Sequence, residues 1–128
     1  MDFDEWNEVK KETSKKQYSL HFREREIFYI RIGRNIGYEQ NGKGKYFLRP
    51  ILILRKYNKF SFTGIPLSTK IKEGIFYYNF SFLENITSCA LLSQIRTFDA
   101  NRLERKIGIM KHEDFYTLKS NLKELLKL

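Results

Sequence analysis

Residues 47–55 read Phe-Leu-Arg-Pro-Ile-Leu-Ile-Leu-Arg, and this stretch decides the fold. Its aromatic, aliphatic and β-branched residues predict a β-strand over Phe47–Arg55. The most continuous aliphatic part, Pro50–Leu54, is far shorter than the roughly 18 to 20 residues that a membrane-spanning helix needs. The stretch therefore predicts a strand of a globular domain.

Strand patterns continue on both sides of this stretch. Four further strands are predicted on the same grounds, over Glu26–Ile32, Phe60–Leu67, Ile75–Phe82 and Cys89–Ile95. In Ile75–Phe82, one alternating set is aromatic and the other mixes Ile75 and Tyr77 with polar residues, which predicts that both faces are covered. Farther on, Asp99 is placed to cap a helical turn through Arg102, and Lys106–Met110 predicts a short returning strand.

Helical spacing appears at both ends of the chain. Near the start, Phe3, Trp6 and Val9 fall on one side of a helical wheel, with acidic residues before basic ones, so a helical extension is predicted over residues 1–18. A last helix is predicted from acidic residues in its first turn, lysines in its last turn and an apolar series. The apolar series is Phe115, Leu118, Leu122 and Leu125.

Several short strands between two terminal helices predict a mainly β protein of the α+β class. The expected architecture is a small SH3-like barrel or strongly curved sheet, closed at its ends by the helices. Residues 19–128 are expected to form its single domain.

Charge and composition limit the function. The 128 residues carry 24 Lys and Arg against 15 Asp and Glu, a net charge of +9. Such a surplus predicts an anionic partner, either nucleic acid, an acidic protein or both. One Cys and two His are too few for a structural zinc site, and Cys89 is expected to be a buried thiol. The first residues lack the apolar segment of a secretory signal, so a cytoplasmic protein is expected, with no metal, cofactor or membrane association.

A glycine-rich loop, Gly33–Lys45, separates the first two strands and is expected to be functional. Candidate phosphate contacts are Gln40, Lys43 and Lys45 in this loop, with Lys70 and Lys72 after the third strand. Tyr38, Tyr46 and Phe47 are possible stacking surfaces for unpaired bases. The alternative for each lysine is an ordinary solvated side chain.

Four ordered segments together resemble the MazF/PemK family of toxins from bacterial toxin–antitoxin pairs. The segments are Gly37–Gly42 (GYEQNG), Leu48–Leu54 (LRPILIL), Ile65–Thr69 (IPLST) and Leu92–Asp99 (LSQIRTFD), with Arg102-Leu103 just after. The resemblance covers about residues 26–126. It implies a MazF/CcdB-type barrel, a homodimer, metal-independent cleavage of single-stranded RNA and a cognate antitoxin.

The resemblance also implies site residues. The arginine before the proline of the second strand is commonly catalytic in the family, and Arg49 stands there. Ser68 stands where the family commonly has a threonine, and the adjacent Thr69 is the alternative. A guanidinium suits stabilisation of phosphorane charge, and the hydroxyl would donate to a phosphate or leaving oxygen. The alternatives are an ordinary arginine, exposed or paired with a carboxylate such as Glu39, and a serine–threonine turn.

The fourth segment supplies further candidates. Ser93 stands where some relatives have an acidic residue, and Ser93 and Arg96 are candidate RNA contacts. Arg96 and Arg102 flank Asp99, and the favoured interpretation of this trio is a structural ion pair that holds the turn. His21 and His112 fall outside every motif, so a catalytic histidine is not expected.

The leading hypothesis is a sequence-selective endoribonuclease that restrains growth by cutting transcripts and is neutralised by an acidic antitoxin. A noncatalytic toxin, like the related CcdB-type gyrase poisons, is the second hypothesis. A basic nucleic-acid-binding barrel module is the third.

Overall fold

A computed structural model describes residues 20–32 and 47–128 of the chain. These residues form seven strands and one helix, α1, with short 3₁₀ turns at Leu92–Gln94 and Ala100–Arg102. In chain order the elements are β1 Glu26–Arg31, β2 Leu48–Asn58, β3 Ser61–Ser68, β4 Tyr77–Leu83, β5 Ile86–Leu91, β6 Arg96–Asp99, β7 Leu103–Ile109 and α1 His112–Leu125.

The strands form one antiparallel sheet in the order β4-β5-β3-β2-β1-β7, and β6 also pairs with β3. Along β3, β6 pairs with the first half and β5 with the last two residues. The predicted α+β class is confirmed. The sheet is not closed into a barrel, because its two end strands, β4 and β7, are not paired through their backbones. They contact each other through a side chain, since the ring of Phe82 in β4 occupies the space that a Cβ on Gly108 of β7 would fill.

Two apolar clusters lie against the sheet. The helix-side core contains Ile27, Leu52, Ile65, Leu67, Phe80, Ala90, Leu92, Met110, Phe115, Leu118 and Leu122. The aromatic core contains Phe22, Phe28, Ile30, Ile51, Ile53, Phe62, Phe98, Ala100 and Leu103. Successive residues of a strand face opposite sides, so β2 sends Leu52 to one core while Ile51 and Ile53 go to the other. All three are fully buried, which explains why the strand at the sheet's centre is the chain's continuous aliphatic run.

Strand boundaries differ from the prediction around the fourth motif. A strand was expected over Cys89–Ile95, but β5 begins at Ile86 and ends at Leu91, where a 3₁₀ turn leads into the unpredicted strand β6. Only one of the four residues of β6, Phe98, is buried, so the sequence of this strand shows no alternation to detect. The last strand, β7, starts at Leu103, three residues earlier than predicted.

The prediction that both faces of the fourth strand are covered is wrong. Phe80 is buried in the helix-side core, whereas Asn79 and Ser81 are exposed. Because β4 lies at one end of the sheet and none of the described elements forms a layer over its outer face, its polar residues meet solvent there.

Other local predictions are confirmed. The carboxylate of Asp99 accepts a hydrogen bond from the backbone N–H of Asn101 at 2.8 Å and so caps the turn Ala100–Arg102. Cys89 is fully buried. The predicted N-terminal helical extension and the loop Gly33–Lys45 lie outside the described residues. Within the described part of the chain, no helix is both long and apolar enough to cross a membrane.

The helix α1 follows its sequence pattern, with Glu113 and Asp114 in the first turn and Lys123 in the last. Its buried residues, Phe115, Leu118 and Leu122, pack on the helix-side core. A polar contact adds to this packing, because the hydroxyl of Tyr78 in β4 donates to the Asp114 carboxylate at 2.7 Å. Burial, together with this carboxylate, raises the pKa of Tyr78 to about 12.

The Tyr78 contact predicts a loss of stability at alkaline pH. A pKa raised on folding stabilises the protein below the ordinary tyrosine pKa of 10.0, and this contribution is lost as the pH rises through about 12. We expect Tyr78→Phe to lower the free energy of unfolding by about 1 to 2 kcal/mol at neutral pH and to weaken its decline above pH 10. Urea unfolding between pH 7 and 11.5 measures both effects. Tyr116→Phe is the matched control, since Tyr116 is an exposed tyrosine on α1, and an equal change in that variant would contradict the assignment.

Candidate functional site

Arg49 lies near the start of β2, where the side chain is exposed. Its backbone is opposite Ile30 in β1. Strand alternation places Arg49 on the same face as Ile51 and Ile53, which belong to the aromatic core. The arginine therefore stands where the buried part of this face ends and solvent begins. Arg49 makes no ion pair with any of the described residues.

Ser68 is the last residue of β3 and is partly buried. In the pairing of β2 with β3, Ile51 is opposite Pro66 and Leu52 is opposite Ile65. The observed pairing of the two strands ends at Ile51 and Pro66, and Ser68 pairs with Cys89 of β5 on the other edge of β3. Extending the β2–β3 register by two further residues puts Ser68 across from Arg49. Residues directly opposite in an antiparallel pair direct their side chains to the same face of the sheet. The two strands thus bring the predicted arginine and hydroxyl to one end and one face of the sheet.

The Ser68 hydroxyl already has a local role. Its Oγ accepts a hydrogen bond from the backbone N–H of Lys70 at 3.0 Å, as expected for the serine–threonine turn interpretation. This bond uses an oxygen lone pair and leaves the hydroxyl proton free to be donated elsewhere. Thr69 follows the end of β3 and is exposed, and the same extension of the register puts it across from Leu48 and not Arg49.

The two lysines after β3 lie beside this end of the sheet, and both are exposed. The backbone carbonyl of Lys72 accepts a hydrogen bond from the side-chain amide of Asn79 at 3.0 Å. The Nζ of Lys72 lies 5.7 Å from the centre of the Tyr77 ring. Lys72 is thereby held to β4, whereas Lys70 stays next to Ser68. The other predicted phosphate contacts, Gln40, Lys43 and Lys45, lie outside the described residues, as does Glu39.

Ser93 and Arg96 are separated from Arg49 by β3. Ser93 is exposed in the 3₁₀ turn, and Arg96 in β6 is opposite Gly64 in β3. Gly64 is four residues from Ser68, or roughly 13 Å along the strand. The Arg96 guanidinium lies 4.8 Å from the centre of the Phe98 ring, so it covers the edge of the aromatic core.

The expected ion pair between Asp99 and its flanking arginines is replaced by other contacts. Asp99 caps the 3₁₀ turn through the backbone of Asn101, and Arg102 donates from Nη1 to the carbonyl oxygen of Arg31 at 3.2 Å. The structural role predicted for this trio is therefore fulfilled by hydrogen bonds to backbone. These bonds fix the turn before β7 against the end of β1.

An ion pair missed by the sequence analysis lies at the end of β1. Arg31 pairs its Nε with the Glu104 carboxylate of β7 at 2.9 Å, which ties these two strands together. Arg31 is opposite Leu48 in β2, so strand alternation directs its side chain to the face of the sheet away from that of Arg49. No sequence signal could have identified it, because the partners are far apart in the chain and belong to no local pattern.

Solved structures share this fold. The toxin MazF-mt6 of Mycobacterium tuberculosis matches with a TM-score of 0.62 and 19% identity, over 81% of this chain and 98% of that one. MazF of Deinococcus radiodurans matches with a TM-score of 0.66 and 16% identity, over 85% and 99%. A mycobacterial endoribonuclease in complex with its cognate antitoxin matches with a TM-score of 0.65 and 13% identity, over 84% and 97%. At these identities the likeness shows the fold.

Sequence comparison gives the family. No curated protein sequence matches the chain closely enough to count as a relative. The family model described as PemK-like, MazF-like toxin of type II toxin–antitoxin system matches residues 23–126, a range that includes both Arg49 and Ser68. This chain therefore belongs to the PemK-like, MazF-like family of toxins of type II toxin–antitoxin systems.

Proposed function

We propose that this chain is an endoribonuclease toxin that cuts single-stranded RNA, including mRNA, at selected sequences in the cytoplasm and thereby inhibits growth. The observation that carries the proposal is the β2–β3 pairing, because its register, extended by two residues beyond Ile51 and Pro66, puts Ser68 across from the exposed Arg49. Membership of the toxin family and the net charge of +9 support it. One of the neighbours in structure is itself described as an endoribonuclease.

The proposed chemistry uses the RNA's own nucleophile. The 2′-hydroxyl attacks the adjacent phosphorus and releases its proton to water, the bond to the 5′-oxygen breaks, and that oxygen takes up a proton from water, leaving a 2′,3′-cyclic phosphate and a 5′-hydroxyl. The Arg49 guanidinium donates to the nonbridging oxygens and stabilises the charge of the phosphorane. A guanidinium presents several N–H donors and no acceptor, so it is poorly suited to act as the base and its main role is electrostatic.

Ser68 supplies the second donor. Because its Oγ already accepts the Lys70 N–H, its proton is free to be donated to a nonbridging oxygen or to the leaving 5′-oxygen. Thr69 is the alternative hydroxyl. In this proposal the phosphates on either side are bound by Lys70, Lys72, Ser93 and Arg96, together with Gln40, Lys43 and Lys45 of the glycine loop.

The decisive experiment is incubation of the purified protein with mixed single-stranded RNA in excess EDTA. We expect discrete fragments that end in a cyclic phosphate, since the proposed step needs only side chains of this chain. Intact RNA that nevertheless binds the protein would favour the basic binding module. Intact RNA without binding would favour a noncatalytic toxin of the same fold.

We also propose a homodimer, supported by large apolar side chains that the described part of a single chain leaves exposed. Ile75 is 72% exposed and its neighbour Phe76 is 46% exposed. Apolar surface of this kind on a small domain is typical of an interface. Light scattering at micromolar concentration should give twice the 15.5 kDa mass of one chain. A mass of one chain across that range would contradict the proposal.

Control by an acidic antitoxin completes the proposal, and it predicts that RNA binding and antitoxin binding weaken with salt to different degrees. RNA binding releases counterions and so weakens steeply with salt, whereas antitoxin binding also depends on apolar contacts and weakens less. Titration of labelled RNA against the toxin, with and without antitoxin at several salt concentrations, measures both affinities. We expect the antitoxin to displace RNA at every concentration and to gain advantage as salt rises. Simultaneous, undiminished binding of both would show that they do not share a surface.

A further inference from the structure

A groove of about 420 Å³ lies between the second half of α1 and the helix-side face of β2, away from Arg49. Its apolar lining includes Leu54 of β2 with Phe115, Leu122 and Leu126 of the helix and its end. Leu126 is 45% exposed, so the described residues leave part of this apolar surface open to solvent.

The groove is bordered by positive charge. Among the described residues that line it, Arg55, Lys119 and Lys123 are basic and Glu24 alone is acidic. The Glu24 carboxylate accepts a hydrogen bond from the backbone N–H of Lys56 at 2.7 Å, and this bond lowers the pKa of Glu24. One carboxylate is thus already used by the backbone, while three cations remain along the groove. The surface suits an occupant that combines apolar side chains with carboxylates.

The chain contains such a segment. Residues 1–8 read Met-Asp-Phe-Asp-Glu-Trp-Asn-Glu, with four carboxylates, no basic side chain and two aromatic rings, in a chain whose net charge is +9. The described residues begin at Leu20, which packs against the aromatic core, and Glu24 four residues later lines the groove. The twelve residues from Glu8 to Leu20 reach up to about 40 Å when extended, so the segment can reach any part of the groove.

We propose that residues 1–8 dock intramolecularly in this groove, with Phe3 and Trp6 on its apolar lining and the carboxylates facing Lys119 and Lys123. A short tether gives an effective concentration in the millimolar range, so weak contacts suffice. Leu54 faces away from the side of Arg49 and lies five residues along β2, or about 17 Å. Docking therefore covers an apolar surface without occupying the candidate cleavage site, and it does not depend on the proposed RNase activity.

The test uses Trp6, the chain's only tryptophan, as a reporter in the full chain. We expect its emission to be shifted to the blue and less quenched by acrylamide than that of a synthetic peptide of residues 1–19. The double substitution Lys119→Glu and Lys123→Glu should lower the ratio of docked to undocked chains roughly tenfold, because exposed ion pairs each contribute modestly. Circular dichroism checks that the native chain and the double variant are both folded.

The matched control is the double substitution Arg105→Glu and Lys111→Glu, which makes the same charge change at exposed positions outside the groove. This variant should keep the native emission. Equal emission from the full chain and the peptide, or equal shifts in both double variants, would overturn the proposal. A blue shift that grows with protein concentration would also overturn it, because the occupant would then come from a second copy.

Discussion

Arg49→Ala should reduce the rate of RNA cleavage about 100-fold, a loss on the order of 3 kcal/mol in transition-state stabilisation. The reason is that, of the two proposed catalytic residues, only Arg49 has a positive charge that can stabilise the phosphorane. The fold should be unaffected, because Arg49 is exposed and makes no ion pair among the described residues. Single-turnover cleavage of a labelled RNA in EDTA measures the loss, and urea unfolding checks stability.

Companion variants separate charge, geometry and position. Arg49→Lys keeps the charge but loses the planar set of donors, so its rate should fall between those of the native chain and Arg49→Ala. Arg23→Ala removes an exposed arginine at the opposite end of the sheet and should cut normally. Ser68→Ala should cost less than Arg49→Ala, and a complete loss in Thr69→Ala alone would identify the other hydroxyl. Native rates in a folded Arg49→Ala chain would refute the catalytic assignment.

The parts of the fold that the sequence predicts are those in which burial leaves a pattern. Ile51, Leu52 and Ile53 are all buried because β2 has a core on each side, and the resulting aliphatic run is visible in the sequence. The helix α1 buries one face only, and its apolar spacing shows this equally well. By contrast, β6 is held mainly by backbone pairing with β3, which any sequence can make, so its four residues gave no signal.

The residues of the candidate site were proposed from the sequence, but their arrangement was not. Arg49 and Ser68 came from the resemblance to a family, and nothing in their spacing indicates how they lie relative to each other. The arrangement proposed for them depends on the β2–β3 register, which contains two irregularities near the hairpin that no sequence pattern located. The same limit applies to Arg31 and Glu104, whose pairing follows only once β7 is placed beside β1.

Open strand ends explain why the site lies where it does. A guanidinium cannot be buried without a partner, so a catalytic arginine needs a position where one strand leaves the core while its neighbours still fix its backbone. Arg49 meets this condition, because β1 pairs with it on one side and Ile51 is fully buried two residues later. The buried part of β2 thus holds the exposed part in place.

Phe62→Ala should have the largest effect on stability, lowering the free energy of unfolding by about 3 to 5 kcal/mol. Phe62 is fully buried in β3, and its ring centre lies 5.4 Å from that of Phe22 and 5.6 Å from that of Phe98. Truncation removes both ring contacts and leaves a cavity that the paired strands on either side cannot collapse to fill. Such a loss is a large share of the total stability of about 5 to 15 kcal/mol typical of a domain.

Phe60→Ala is the matched control, because Phe60 belongs to the same hairpin but its side chain is 56% exposed. Its truncation should cost less than about 1 kcal/mol, since little apolar surface returns to water. Urea unfolding of the native chain, Phe62→Ala and Phe60→Ala measures the two losses. The dependence of the unfolding free energy on urea concentration should be the same for all three. A loss below about 1 kcal/mol in Phe62→Ala, or equal losses in the two variants, would mean that the aromatic core does not hold β3 in register. The position of Ser68 opposite Arg49 would then lack its support, because the same strand carries both Phe62 and the candidate hydroxyl.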